Sequence, residues 1–308
     1  GRLNSVDVSA SVLNLLVKTP TGRSQEDELT NFATWYSYYR TRIKAAKGGA
    51  SQTFSSLGRN FRIGYAAINS VERTDNIIPI NDATKGEFYG TNKDSFFTSL
   101  QGASSGSGQS TPLRQALTAV GDYFARSDTG GPWGPGTGVA QYSCRQNFAI
   151  LTTDGYWSSG ATNSNLKGGA IGNADQNAGR PYADSSSDTL ADVAYYYWNT
   201  DLRSDLTNNV PTSDADGNNS KQHMNTFTVS IGLEGNLKAS DYPQLVAGTK
   251  SWPSLANTNN SEVKEKIDDL WHAAINGRGD FLVANNPTGF TSALNSALST
   301  INGPARSY

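Results

Sequence analysis

The order in which short apolar runs and amphipathic segments follow one another is the feature that most constrains how this chain can fold. From residue 61 onward, runs with the composition of β-strands alternate with segments whose apolar residues recur every three or four positions. Such alternation predicts a largely parallel sheet with helices on both faces. We therefore expect a three-layer, doubly wound α/β fold with long polar insertions at its surface.

Five runs are predicted to be strands and five segments to be helices. Strands are expected at residues 61–69, 76–80, 148–151, 224–233 and 280–285, with 76–80 at an edge because Pro79 cannot donate to a ladder. Helices are expected at residues 24–49, 111–127, 189–206, 261–277 and 290–301. Thr189 and Asp192 have the spacing of a capping box. Turn-forming residues throughout 158–188 predict a surface insertion.

The segment at 24–49 has clear signals for the start, the end and the buried face of a helix. Ser24 is a suitable N-cap, acidic residues follow in the first turn, and Gly48 and Gly49 are expected to end the helix. The spacing of its apolar residues predicts one buried, largely aromatic face, formed by Leu29, Phe32, Tyr36, Tyr39 and Ile43. A carbohydrate-binding platform would use the same side chains, but core packing accounts for the spacing fully.

Composition limits the class of protein. With 308 residues, 36% of them hydrophobic, the chain is long enough for one large or two small domains; we expect an extended segment at 1–26 and one domain at 27–308. A net charge of -2 gives no electrostatic footprint for nucleic acid, and no apolar run is long enough for a membrane span. Abundant Gly, Ser, Thr and Asn are typical of exported proteins. The single Cys144 excludes an internal disulfide and is expected to be half-buried before a strand.

Two side chains are candidates for a ligand site at one edge of the predicted sheet. Asp154 follows an apolar strand, and Thr111 begins a helix that comes after a glycine-rich loop. Open parallel sheets bind ligands at the carboxyl ends of their strands. A hydroxyl and a carboxylate there suit Mg²⁺, Ca²⁺ or Mn²⁺. The simpler alternatives are a helix N-cap for Thr111 and an Asp-Gly turn for Asp154, and spacing alone favours them.

Several motifs carry a family resemblance. "STPLRQAL" and "FAILTTDG" resemble the second and third metal-loop motifs of von Willebrand factor A domains. Longer runs look like the PilY family of large type IV pilus assembly and tip-adhesin proteins: "LTNFATWYSYYRTRI", "FRIGYAAIN", "NFAILTTDGYW", "GRPYADSSSDTLADVAYYYWNTDLR" and "KIDDLWHAAINGRGDFLVANNPTGFTSAL". The likeness covers almost the entire chain from Glu28 on.

This resemblance implies a von Willebrand factor A-like fold whose metal-ion-dependent adhesion site takes Thr111 and Asp154 as ligands of Mg²⁺ or Ca²⁺. It implies a non-enzymatic adhesion and assembly factor at the extracellular tip of a type IV pilus. Its expected partners are minor pilins and a host or abiotic surface ligand. Two alternatives stay open: a surface-glycan hydrolase, and a purely structural tip domain with a vestigial metal site.

The chain departs from the family pattern in two places. A complete site also needs Asp-x-Ser-x-Ser directly after the first strand; "DVSAS" at Asp7–Ser11 fits the letters but precedes the apolar run Val12–Val17, so we interpret it as a chance match. The first strand would then come from upstream residues, or Val12–Val17 would take its place. PilY proteins also generally continue into a β-propeller, whereas this chain ends at Tyr308.

Other candidate motifs have a simpler structural interpretation. Asp214, Asp216 and Asn218 alternate like the start of a calcium loop, but Gly217 comes too early and no glutamate closes the loop, so a solvated turn is expected. The tripeptide Arg278–Gly279–Asp280 matches the integrin motif, yet it joins a helix to a strand where a glycine turn is needed. The two histidines, His223 and His272, lack the motifs of a hydrolase and are expected to be structural.

Overall fold

Three parallel strands form the sheet at the centre of the structure. The computed structural model describes residues 22–70, 86–104, 111–134, 141–158, 170–255 and 262–303. Within them the strands are hydrogen-bonded in chain order: β1 (Asn147–Thr153), β2 (Met224–Ile231) and β3 (Arg278–Ala284). The predicted α/β class and the parallel direction of these strands are confirmed.

Helices lie on both faces of this sheet. Their bounds are α1 (Gln25–Tyr38), α2 (Arg42–Ser55), α3 (Thr91–Gly102), α4 (Leu113–Phe124), α5 (Leu190–Asn199), α6 (Tyr242–Ala247), α7 (Glu265–Asn276) and α8 (Pro287–Ile301). On one face α4, α5 and α7 form a core with Leu151 of β1. On the other face α2, α3 and α8 form a second core with Val229 of β2.

The burial of β2 explains its composition. Seven of its eight residues are buried, as expected for a parallel strand that is covered on both faces. Polar side chains at such positions must find partners inside the protein. The hydroxyl of Thr228 donates to the carbonyl of Leu270 at 2.8 Å, and that of Ser230 donates to the carbonyl of Leu233 at 2.8 Å. These bonds make Thr228 and Ser230 compatible with the buried environment of β2.

The Arg-Gly-Asp tripeptide forms an irregularity at the start of β3. The register with β2 shifts next to Thr226, and Arg278 adopts a left-handed φ of 58°. A Cβ on Gly279 would collide with the carbonyl oxygen of Thr226, so glycine permits the close approach of the strands. The guanidinium of Arg278 lies 3.8 Å from the ring centroid of Tyr182 and 3.7 Å from that of Trp198. These contacts favour the structural interpretation of the tripeptide.

The helix predicted at 24–49 is in fact two helices. Thr41 caps α2 by accepting a hydrogen bond from a backbone N–H three residues later. Gly48 and Gly49 do not end a helix but lie within α2. A Cβ on Gly49 would be 2.6 Å from Cδ1 of Phe290, so the glycine allows α2 to approach α8 closely.

The prediction of a buried aromatic face on the first helix is wrong. No residue of α1 is buried, and the side chains of Phe32, Trp35, Tyr36 and Tyr38 are 45–60% exposed. Helical spacing places such side chains on one stripe, but it does not specify an element that covers the stripe. In the described part of the chain, α1 packs against the neighbouring α2.

The run at 61–69 is not a strand. Residues 61–67 join no ladder with β1, β2 or β3, and a 3₁₀ turn begins at Ile68. Its side chains still serve both cores: Phe61 and Tyr65 contact the α8 side, and Ala66 contacts the α5 side. The alternating pattern is therefore real, although it does not produce a ladder. The strand predicted at 76–80 lies outside the described residues.

Two expectations about loops also need correction. Cys144 is exposed, not half-buried. Residues 170–188 are more than a surface insertion, because Asp175 is fully buried and accepts a hydrogen bond from Asn276 of α7 at 2.7 Å.

The capping box of Thr189 and Asp192 at the start of α5 is confirmed. No helix in the described ranges is long and apolar enough to cross a membrane.

Candidate functional site

Asp154 lies in a tight turn at the carboxyl end of β1. The hydroxyl of Thr153 accepts a hydrogen bond from the backbone N–H of Gly155 at 3.2 Å and donates to the carbonyl of the same residue at 3.1 Å. These bonds fold the chain back around the aspartate, whose side chain is 56% exposed. The structure thus places Asp154 at the edge where open parallel sheets bind ligands.

Thr111 does not cap the helix that follows it. α4 begins at Leu113, its N-cap position is Pro112, and no side chain caps this end. The prediction of an N-cap at Thr111 is therefore wrong by one residue. The carbonyl of Thr111 accepts from the backbone N–H of Leu113 at 2.9 Å, so the residue is fixed through its backbone.

The chain segments that carry the two candidates are bonded to each other. The backbone N–H of Thr111 donates to the hydroxyl of Ser158 at 3.0 Å, and the backbone N–H of Ser158 donates to the carbonyl of Thr111 at 3.0 Å. Ser158 comes four residues after Asp154. The loop after β1 and the segment before α4 therefore meet at one edge of the sheet, as the topology predicts.

Arg42 is the cationic neighbour of Asp154. Its Nη1 lies 3.9 Å from Oδ2 of Asp154 and donates to the aspartate's backbone carbonyl at 3.0 Å. Both side chains are more than half exposed, and ion pairs of this kind contribute at most about 1 kcal/mol. The carboxylate thus stays accessible to solvent and to a further cationic ligand.

The donor set at this edge suits a hard divalent cation but is small. Thr111 and Asp154 offer oxygen ligands only, which favours Mg²⁺ or Ca²⁺ over softer metals. Among the described residues, no group of three or more His, Cys, Asp or Glu side chains is arranged to hold a metal ion. Asp7–Ser11 lies outside the described residues. The metal site at Thr111 and Asp154 stays a prediction.

The calcium-like run is a structural turn with a buried acid. Asp214 to Asp216 form one 3₁₀ turn, and Gly217 follows with a left-handed φ of 66°. Asp216 is not solvated as expected: it is buried, its Oδ2 lies 3.0 Å from Nε2 of His223, and its Oδ1 accepts from Asn225 at 2.6 Å. The predicted structural role of His223 fits this buried pair.

His272 is buried in a second polar cluster. Its Nε2 lies 2.6 Å from the carbonyl oxygen of Tyr182, and its ring stacks on Trp252 with centroids 4.2 Å apart. The carboxylates of Asp175 and Asp184 lie within 3.7 Å of the imidazole nitrogens. These contacts attach the 170–188 segment to α7, which is a structural role.

Sequence reasoning missed two residues at the candidate edge. Ser158 lies in the run "YWSSG" shortly after β1. A hydroxyl at the carboxyl end of a parallel strand could have indicated a residue of the candidate site. Arg42 lies within the segment predicted as one long helix, and its contact with Asp154 spans 112 positions, so no local pattern indicates it. Exposed aromatic residues, which a glycan-binding surface would use, occur on α1 and at Tyr89 and Tyr142 in the described structure. The glycan-hydrolase alternative stays untested.

The chain is similar to three curated proteins, each named type IV pilus biogenesis factor PilY1 from Pseudomonas aeruginosa. It is 34% identical to that of strain PAK, with 89% of this chain matching 26% of the relative. The PAO1 protein is 33% identical over 90% of this chain and 26% of its own length, and the UCBPP-PA14 protein is 35% identical over 88% and 25%. The chain thus spans about a quarter of their length. No protein-family model and no solved structure matches it.

Proposed function

Because the chain belongs to the PilY family of type IV pilus proteins, we propose that it is a von Willebrand factor A-like module of a pilus biogenesis factor. In this role it acts without catalysis at the extracellular tip of the pilus. It supports assembly by binding minor pilins, and it attaches the pilus to a host or abiotic surface ligand. The likeness to three biogenesis factors over about nine tenths of the chain is the observation that carries the proposal.

The geometry of the β1 edge supports a binding role for the same module. Asp154 is exposed there, and Thr111 is tied to the same loop through Ser158. A divalent cation held by the oxygens of Thr111 and Asp154 would supply a positive centre for an acidic group of the partner. Arg42 adds a second positive charge beside that position.

The biological role is tested with strains that carry substitutions at this edge. Deletion of the gene is expected to reduce pilus number, twitching and attachment, and purified minor pilins should retain the wild-type protein in a pulldown. Asp154→Ala should lower attachment to an abiotic surface, while Asp280→Asn, which alters an exposed carboxylate near the start of β3, should not. Normal pilus number, twitching and attachment in the deletion strain would refute the proposal.

The metal site is tested by thermal unfolding in EDTA, Mg²⁺ and Ca²⁺. An ion that binds only the folded state adds about 2.7 kcal/mol at one hundred times its Kd. The wild type and Asp280→Asn should gain stability with the ion, whereas Thr111→Ala and Asp154→Ala should not. The same melting temperature in all solutions would favour the structural tip domain with a vestigial site.

A further inference from the structure

Trp157 anchors the loop that carries Asp154. Trp157 is 4% exposed and its ring contacts two cationic side chains: Cζ of Arg114 is 4.2 Å from the ring centroid and Nζ of Lys266 is 4.5 Å from it. Nζ of Lys266 also donates to the backbone carbonyl of Trp157 at 2.8 Å. The loop is therefore held both by the ring and by its backbone.

The indole N–H of Trp157 is bonded to a buried acid that also serves another helix. Nε1 donates to Oδ2 of Asp269 at 2.9 Å. The same carboxylate accepts from the backbone N–H groups of Leu190 at 3.0 Å and Ala191 at 3.1 Å, the first residues of α5. Asp269 thus connects α7, the N-terminus of α5 and the loop after β1 in one hydrogen-bonded unit.

Both ends of the Asp154 turn are consequently fixed. Thr153 ends β1 on one side, and Trp157 and Ser158 hold the other side, with Ser158 bonded in both directions to Thr111. Only Asp154, Gly155 and Tyr156 lie between these anchors. A short turn held at both ends presents its exposed side chain in a narrow range of positions.

We propose that Trp157 and Asp269 are positioning residues that set the location of Asp154 relative to Thr111. This inference rests on the proposed binding role of that edge. The arrangement is specific because a phenyl ring would fill much of the same space but would leave Asp269 without its indole donor. Arg114 and Lys266 are both desolvated here, and burial lowers the pKa of each. Placing two cations on one ring is costly unless nearby carboxylates and carbonyls compensate, as Asp269 and the carbonyl of Trp157 do.

The test compares two buried tryptophans that lose the same chemical group. Trp157→Phe removes the donor to Asp269. Trp133→Phe is the matched control, since Trp133 is fully buried and its Nε1 donates to the carbonyl of Phe124 at 2.7 Å, away from the loop. Hydrogen–deuterium exchange is measured on the full chain in peptides covering residues 154–158. Peptides covering β2 serve as the reference for unfolding of the whole domain.

Trp157→Phe is expected to speed exchange in residues 154–158 about tenfold or more, since loss of a buried bond to a carboxylate frees the loop. Trp133→Phe should leave exchange there within about twofold of the wild type. Asp269→Asn, which keeps one acceptor oxygen, should give an intermediate increase. Equal exchange at 154–158 in the wild type and Trp157→Phe, or equal increases in both tryptophan variants, would overturn the proposal.

Adding Mg²⁺ or Ca²⁺ separates this inference from the proposed binding role. If the cation stabilises the wild type, Trp157→Phe should show a weaker stabilisation at the same concentration, whereas Trp133→Phe should keep it. If no cation stabilises any protein but exchange still rises only in Trp157→Phe, the positioning role stands and the metal-dependent function fails.

Discussion

Gly121 offers the sharpest test of the packing between α4 and α5. A Cβ built at this position would lie 2.5 Å from Cε1 of Tyr197 and closer still to two other carbons of the same ring. Tyr197 is only 1% exposed, and its hydroxyl donates to Asp122 at 2.7 Å. The ring would have to move by about 1 Å to restore normal contact, and a buried ring has little room to do so.

The expected effect of Gly121→Ala is a net loss of stability. Alanine gains about 1 kcal/mol over glycine inside a helix. Against this, overpacking a core typically costs about 1–3 kcal/mol, and distortion of the Tyr197–Asp122 bond costs roughly 1 kcal/mol more. We therefore expect the free energy of unfolding to fall by about 2 kcal/mol.

Urea unfolding followed by circular dichroism measures this change through the midpoint at constant slope. Gly102→Ala is the control, because a Cβ there meets nothing within 4 Å at the end of α3. That variant should match the wild type or gain up to about 1 kcal/mol. A Gly121→Ala protein as stable as the wild type would show that the contact between α4 and α5 is wrongly described.

Two further predictions concern buried charge and the start of β3. Burial raises the pKa of Asp192 to about 7 and that of Asp269 to about 6. Between the ordinary carboxyl pKa and these raised values, the folded protein retains protons that the unfolded chain releases. The contribution of the two protonated carboxyls to the free energy of unfolding is therefore complete below the ordinary carboxyl pKa and is lost as the pH rises through 6 and 7. Unfolding free energies measured between pH 4.5 and 8 should show this decline, and Asp192→Asn should flatten it; an unchanged slope would contradict the assignment. Arg278→Lys should cost about 1–2 kcal/mol in urea unfolding, because an ammonium cannot stack flat between Tyr182 and Trp198; wild-type stability would argue against the stacking.

The parts of the fold that could be predicted are those whose burial leaves a local pattern. β2 is buried along seven of its eight residues and β1 alternates buried with half-buried positions, so short runs rich in β-branched and apolar residues identify both strands. Thr189 and Asp192 cap a helix within four residues, and that spacing is visible in the sequence. The helix end predicted at Gly49 is wrong because glycine resembles a stop signal, whereas here it allows a close contact with Phe290 about 240 positions away.

The candidate site also combines residues that a local pattern indicates with contacts that no local pattern indicates. The ends of the strands indicate the edge at which Thr111 and Asp154 lie, but their role as metal ligands comes from the resemblance to von Willebrand factor A motifs and stays a prediction. The bonds that join and hold their segments could not be found by pattern. Thr111 and Ser158 are 47 positions apart, and Trp157 and Asp269 are 112 apart. Contacts at such separations depend on how the helices pack, and that packing has no local signature.

The aromatic residues of α1 that are exposed in the described part of the chain have a practical consequence for handling this protein. Phe32 lies 5.9 Å from Trp35 and 6.1 Å from Tyr36 between ring centroids, so the exposed rings form one continuous cluster. Contiguous apolar area of this kind promotes adsorption and self-association at high concentration. Light scattering should therefore show particle size rising with concentration for the wild type but less for Phe32→Ser with Trp35→Ser. Colloidal behaviour, and not only fold stability, will set the concentrations at which the isolated chain can be studied.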